Sequence, residues 1–243
     1  MEKPIENILN KYIDDFKTKQ SDVIVPKSIP IVWFGDIESY FKSKIKIITI
    51  ALNPSKNEFP EAFEPTAKPR FIVESLVTDE LYIALNEYFK FNPYKNWFGH
   101  FESYINMLGA SFGGIMSKGI KYDNIALSID YYSSIATNPT FSKLSECKKN
   151  EIDQRALFFE LLRLLSPDIA IMSTAREYFY TVFDKRDKII EVKGKTEIYK
   201  TDNLFAIWGR NINGMPYVDK HILTEWNNGC IKTRKYAPKE GVF

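Results

Sequence analysis

The sequence is poor in the residues that build metal centres and disulfide frameworks. Its 243 residues include two cysteines, Cys147 and Cys230, and two histidines, His100 and His221. The cysteines are far apart and in no metal-like spacing, which argues against a four-cysteine cluster or disulfide scaffold and points to a reducing compartment. Charge of one sign is lacking as well: 33 Lys and Arg oppose 31 Asp and Glu, a net of +2. No global field draws such a chain to nucleic acid or to an anionic membrane, although a local basic face fits within the balance. No apolar run approaches the about 18 residues of a membrane span, and Met1-Glu2-Lys3-Pro4 opens no signal peptide, so a cytoplasmic location is expected.

Several catalytic signatures are missing too. There is no G-x-x-x-x-G-K-[ST] loop, no G-x-S-x-G elbow and no His-Glu-x-x-His. Gly109, Gly113 and Gly114 follow a helical pattern, where a dinucleotide fingerprint would follow a strand. P-loop nucleotide hydrolysis, Rossmann redox chemistry and zinc proteolysis therefore lack their parts.

Aromatics are plentiful: 18 Phe, 14 Tyr and 4 Trp. Large apolar residues belong mostly to a core, and any surplus suits stacking on flat ligands. Ile5, Ile8, Leu9, Tyr12, Ile13 and Phe16 recur on one face of a helix, which an extended, proline-bounded arm follows from Val23 to Pro30. Nearly continuous apolar runs over 45–52, 124–130, 168–173 and 204–208 read as strands buried on both faces. Helices are expected over 80–90, 96–108 and 151–165, another capped by Thr174 and running to about Phe183, and one over 217–226 carrying His221; a hairpin turns near Gly194. This alternation predicts an α/β protein of one domain, with residues 1–30 and the basic 231–243 tail as additions. Ligands of such sheets sit at the carboxyl ends of the strands. That rule selects Asn53-Pro54-Ser55, Asp130-Tyr131-Tyr132, Ser173-Thr174 and Arg210-Asn211.

Asn53 and Asp130 each follow an apolar run directly. Facing one crevice, an amide and a carboxyl can hold a water and a polar ring, the two tasks in hydrolysing a bond to a heterocycle. The plainer alternative is that both cap the segments after them.

Val32-Trp33-Phe34-Gly35-Asp36, a strand, and then Ala51-Leu52-Asn53-Pro54-Ser55-Lys56-Asn57-Glu58-Phe59 together resemble the first motif of the uracil-DNA glycosylase superfamily. Arg70-Phe71, Asn92-Pro93-Tyr94-Lys95-Asn96-Trp97-Phe98, Ser128-Ile129-Asp130 and Ala136-Thr137-Asn138-Pro139-Thr140 follow in matching order. The resemblance implies a three-layer α/β/α sandwich around a four-stranded, mainly parallel sheet. It implies a monofunctional DNA glycosylase, serving repair or attack on foreign DNA, that flips a damaged or modified pyrimidine and cleaves its N-glycosidic bond with water. No metal or cofactor is required, a monomer is expected, and the cysteine count excludes the iron–sulfur branches. A member that binds nucleic acid without catalysis is the alternative, and an unrelated α/β hydrolase or binding protein is a third.

Carried over residue by residue, Asn53 would position the water and, being an amide, orient it without acting as a base, as in the mismatch-specific and thymine-glycosylase branch. Pro54 and Ser55 would shape the pocket wall, the small Ser55 leaving room at the base's C5. Phe71 would stack on the flipped base, or serve the core. Asp130 stands where uracil-specific members carry Asn; ionised, it offers only acceptors and favours the amino group of a cytosine, or else it activates the water. The usual His-Pro-Ser-Pro-like loop is replaced by Trp208-Gly209-Arg210-Asn211-Ile212-Asn213-Gly214-Met215-Pro216. There Arg210 would offset charge on the leaving base or bind a phosphate, Asn211 and Asn213 would bind substrate, and Met215 would wedge into the duplex. Thr137 and Lys143, with Lys148 and Lys149, are expected DNA contacts, against the alternative of a solvated face.

Overall fold

Four short apolar runs form the parallel heart of one sheet. A computed structural model describes residues 1–184, 188–192, 196–201 and 204–209. Helix α1 (Lys3–Thr18) and α2 (Ile37–Lys42) precede β1 (Ile47–Ala51), and α3 (Thr78–Phe91) and α4 (Lys95–Met107) follow it. Next come β2 (Ala110–Ser111), β3 (Asn124–Ile125), β4 (Leu127–Asp130), α5 (Glu146–Glu151), α6 (Arg155–Leu165) and β5 (Ile169–Met172). Helix α7 (Arg176–Val182), β6 (Lys188–Val192), β7 (Thr196–Lys200) and β8 (Phe205–Gly209) complete the described elements. The main sheet has the order β4-β1-β5-β8-β7-β6, its first four strands mutually parallel and β7 antiparallel to both of its neighbours, β8 and β6. Helices lie on both sides. The expected four-stranded sheet is thus its parallel part, enlarged to six strands by the hairpin; Gly194 itself lies outside the described residues.

Two expected elements are divided, each for a local reason. Residues 124–130 serve two sheets: β3 pairs with β2, the Ala126 amide donates to Ser111 O at 2.9 Å, and only then does β4 join β1. The stripe over 151–165 breaks between α5 and α6, where the Gln154 amide donates to Tyr132 O at 2.9 Å and its side-chain oxygen accepts from Ser134 N at 2.8 Å. Helix α7 begins after Ala175, and Thr174 does not cap it; its hydroxyl donates to Ala175 O at 3.2 Å. Helix α2, unforeseen, is capped by Asp36, whose carboxylate accepts from Ser39 N at 2.9 Å.

The N-terminal segment is part of the core and no appendage. Ile5, Ile8, Leu9, Tyr12 and Ile13 of α1 are buried, and the helix packs on α3 and α6. The arm after it runs along the outer edge of the sheet. Val25 N donates to Ala136 O at 3.0 Å, Ile31 N to Ser134 O at 2.9 Å and Asn138 N to Val23 O at 2.9 Å, while Phe34 exchanges two hydrogen bonds with Ser128 of β4. Covering an edge strand in this way blocks edge-to-edge association. Gly114 (φ +55°) allows a close crossing, since a Cβ there would lie 2.3 Å from Phe89 O.

Candidate functional site

Parallel pairing brings the ends of β1 and β4 together, with Ala51 beside Asp130. The loops beyond continue the contact: Tyr131 N donates to Ala51 O at 2.9 Å, Tyr132 N to Leu52 O at 2.8 Å, Thr137 N to Pro54 O at 3.2 Å and Lys56 N to Thr137 O at 3.2 Å. Asn53 sits between them. Its Nδ2 faces Pro54 O at 2.8 Å, Thr137 Oγ1 at 2.9 Å and Ile135 O at 3.2 Å. Two of those partners are carbonyls that can only accept, so the amide cannot turn over. Among the described residues nothing donates to Oδ1, which is left to receive a hydrogen bond from a water or ligand. Asn53 is therefore no helix cap: its side chain is tied to the neighbouring loop.

Asp130 caps nothing either. It is 8% exposed and takes no hydrogen bond from the described residues. Burial, reinforced by the nearby carboxyl of Glu58, pushes its pKa well above the usual carboxylate range. The shift favours a neutral carboxyl, with one donor and an acceptor oxygen, over the ionised, acceptor-only form.

Glu58 is a functional candidate that the strand-end rule passed over, because it lies five residues beyond Asn53. It is 4% exposed, and its Oε2 accepts from the Tyr88 hydroxyl at 2.5 Å. That hydroxyl in turn accepts from Tyr94 N at 2.9 Å. Burial drives the Glu58 pKa up to about 7 against the lowering effects of the Tyr88 hydrogen bond and the Arg70 charge. Two buried carboxyls, one with its pKa raised to about 7 and close enough to act on the other, thus belong to the same strand-end segments as the fixed amide of Asn53. A visible sequence cue was the carboxylate between Asn57 and Phe59 in a turn straight after a buried strand.

The other expected residues divide. Pro54 is buried, and its carbonyl anchors Asn53. Ser55 is half-buried, its Oγ accepting from Asn57 N at 3.3 Å and capping a 3-10 turn over 56–58. Phe71 lies in an aromatic cluster, stacked on Phe59 at 5.6 Å and inclined to Tyr88 at 5.0 Å, and is 7% exposed, which is the core alternative. Thr137 corrects an expected DNA contact: fully buried, it has no surface to offer and serves to position Asn53. Lys143 is exposed. Lys148 and Lys149 are engaged by Asp22 and Glu151 and by Glu146, which supports the solvated-face alternative for them. Arg210, Asn211, Asn213, Met215, His221, Cys230 and the 231–243 tail lie outside the described residues.

A cleft of about 520 Å³ opens alongside, lined in part by Tyr131, Gln154, Arg155 and Phe159. Neither Asn53 nor Asp130 lines it. Among the described residues no group of three or more His, Cys, Asp or Glu is arranged to hold a metal ion, and no helix is long and apolar enough to cross a membrane. No protein-family model matches the chain, and no curated protein matches it.

The Thr137 assignment has a direct test. Thr137→Val removes the hydroxyl acceptor at nearly constant volume and should cost about 1 kcal/mol, whereas Thr137→Ser should stay close to the parent. Urea denaturation of both variants measures this; equal stability of Val and Ser would sink the positioning role.

Proposed function

We propose that the chain is a DNA glycosylase of the uracil-DNA glycosylase type, built on that superfamily's α/β/α sandwich, which hydrolyses the N-glycosidic bond of a flipped, C5-substituted pyrimidine. The observation that carries this reading is the pinned amide of Asn53. With its nitrogen committed to Pro54, Ile135 and Thr137, its one remaining polar atom is an acceptor just past the carboxyl end of a parallel strand whose neighbour ends at the buried Asp130. A water donating to Oδ1 would have its lone pair free to attack. Asn53 takes no proton in this reaction, and Glu58, titrating near neutrality, is the group suited to do so.

Asp130 then reads the base as a neutral acid. One O–H and one carbonyl match the N3 and amino edge of cytosine, and equally the N3–H and O4 edge of uracil or thymine. Preference among pyrimidines therefore falls to the C5 side, where Ser55 leaves space.

The test uses labelled oligonucleotides containing uracil, a G·T mismatch, 5-hydroxymethylcytosine or a sugar-linked cytosine, followed by alkali to break the chain at abasic sites. Strand breaks are expected with at least one C5-substituted base. Asp130→Asn preserves a neutral donor and acceptor, so its rate is expected within about tenfold of the parent. Intact strands throughout, with DNA still bound, would replace catalysis by simple binding; a complete loss in Asp130→Asn would return Asp130 to water activation.

A further inference from the structure

Beyond the Asn53 turn, three cations each lie over an aromatic ring. Lys56 Nζ is 5.4 Å from the Phe63 ring centre, Lys68 Nζ 4.3 Å from that of Phe91, and the Arg70 guanidinium 5.0 Å from that of Tyr94. Among the described residues none of the three forms an ion pair with a carboxylate, unlike Lys148 and Lys149. The Arg70 guanidinium is held by backbone carbonyls, and the backbone of Lys68 is held by the side chain of Asn92. Arg70 donates to Asn57 O at 2.7 Å and to Asn92 O at 3.0 Å, Asn57 Nδ2 donates to the Tyr94 hydroxyl at 3.3 Å, and Asn92 Nδ2 donates to Lys68 O at 3.0 Å.

These contacts join the pairs into one strip that begins three residues after Asn53. Phe63 is 47% exposed and Phe91 38%, so each ring keeps open surface beside its cation. Glu64 and Glu74 are exposed carboxylates on the same loop, Glu61 is half-buried and Glu58 is buried. Unpaired positive charge alternating with exposed rings suits a ligand whose negative charges alternate with flat apolar groups. In duplex DNA the base faces are already stacked; in a single strand they are available to side-chain rings.

We infer that the strip is a docking track for single-stranded DNA, whose bases stack on Phe63 and Phe91, whose phosphates meet Lys56, Lys68 and Arg70, and whose path leads to the Asn53 turn. This rests on the nucleic-acid reading above and adds to it the form of the substrate: the target nucleotide arrives already unpaired, and the enzyme is spared much of the cost of extruding it from a helix.

Fluorescence anisotropy with the full chain decides it. The probes are a labelled oligothymidylate of about 15 nucleotides, an oligouridylate of the same length and a duplex of the same length. Oligothymidylate should bind most tightly. Phe63→Ala and Phe91→Ala should each weaken it about tenfold, with circular dichroism unchanged because both rings are exposed. Lys56→Ser and Lys68→Ser should each flatten the dependence of log K on log salt by about 0.7. Absent oligothymidylate binding, affinity untouched by the two Phe variants, or tighter binding of the duplex or of oligouridylate would each overturn the track. Base excision assayed in the same variants separates the two readings. Excision that persists while the strip variants bind normally removes the track and leaves the site; strip-dependent binding without excision of any base removes the catalysis and leaves the track.

Discussion

Asn53→Asp is expected to dismantle the strand-end site. The substitution is nearly isosteric and would put a proton acceptor where the amide has none, so it invites the opposite expectation of faster hydrolysis. The surroundings decide otherwise. The atom that replaces Nδ2 would be a carboxylate oxygen facing Pro54 O at 2.8 Å and Ile135 O at 3.2 Å, two acceptors with nothing to donate. The two bonds to carbonyls are lost and become repulsive contacts, and only the Thr137 hydroxyl can turn to donate, a destabilisation of about 4 kcal/mol. Asn53→Ala loses the same bonds without the repulsion and should cost about 2 kcal/mol. Urea denaturation should therefore rank the parent above Ala and Ala above Asp, and any base excision should vanish in both. An Asp variant as stable as the parent would mean that the amide does not hold these loops together.

The second large effect is a dependence of stability on pH that Glu58 controls. Its pKa in the fold is about 7, above the ordinary 4.5. Between those values the unfolded chain has released the proton while the folded chain retains it, so stability falls as pH rises. The favourable contribution is complete below about 4.5 and gone above about 7, a difference of about 3 kcal/mol. Asp130, raised well above its own ordinary value, adds a loss of the same sign. Glu58→Gln keeps an acceptor for Tyr88 but has no proton to lose. Its unfolding free energy should change less between pH 5 and pH 8, and at pH 8 it should exceed the parent by about 3 kcal/mol. Parallel profiles for parent and variant would place the Glu58 charge in solvent and remove it as a neutral-pH base.

What could be read from the residues was what repeats along them. The run Ile47–Ala51 is β-branched and buried throughout, and the α1 stripe shows itself at helical spacing; both emerged with ends within a few residues of expectation. The strand-end rule reached Asn53 and Asp130 because a polar residue closing an apolar run is visible in one dimension. Divisions at Ala126 and Gln154 were hidden, since each depends on a hydrogen bond to a distant segment. Glu58 escaped for a similar reason: a carboxylate in a turn looks solvated until a tyrosine thirty positions away is seen to bond it. Thr137 misled in the other direction, its polarity suggesting a surface when the hydroxyl was already satisfied inside.

The lacing of the arm to the 133–138 loop bears on how this protein could be shortened or transplanted. A chain started at β1 would retain Asn53, Glu58 and Asp130, yet Ser134, Ala136 and Asn138 would lose the backbone partners that Ile31, Val25 and Val23 supply. The loop whose Ile135 and Thr137 hold Asn53 would then be fastened from one side only. During synthesis the same lacing cannot close until residue 138 has emerged, so the arm waits on more than half the chain before it has a place. The smallest portable form of the site therefore begins before Val23.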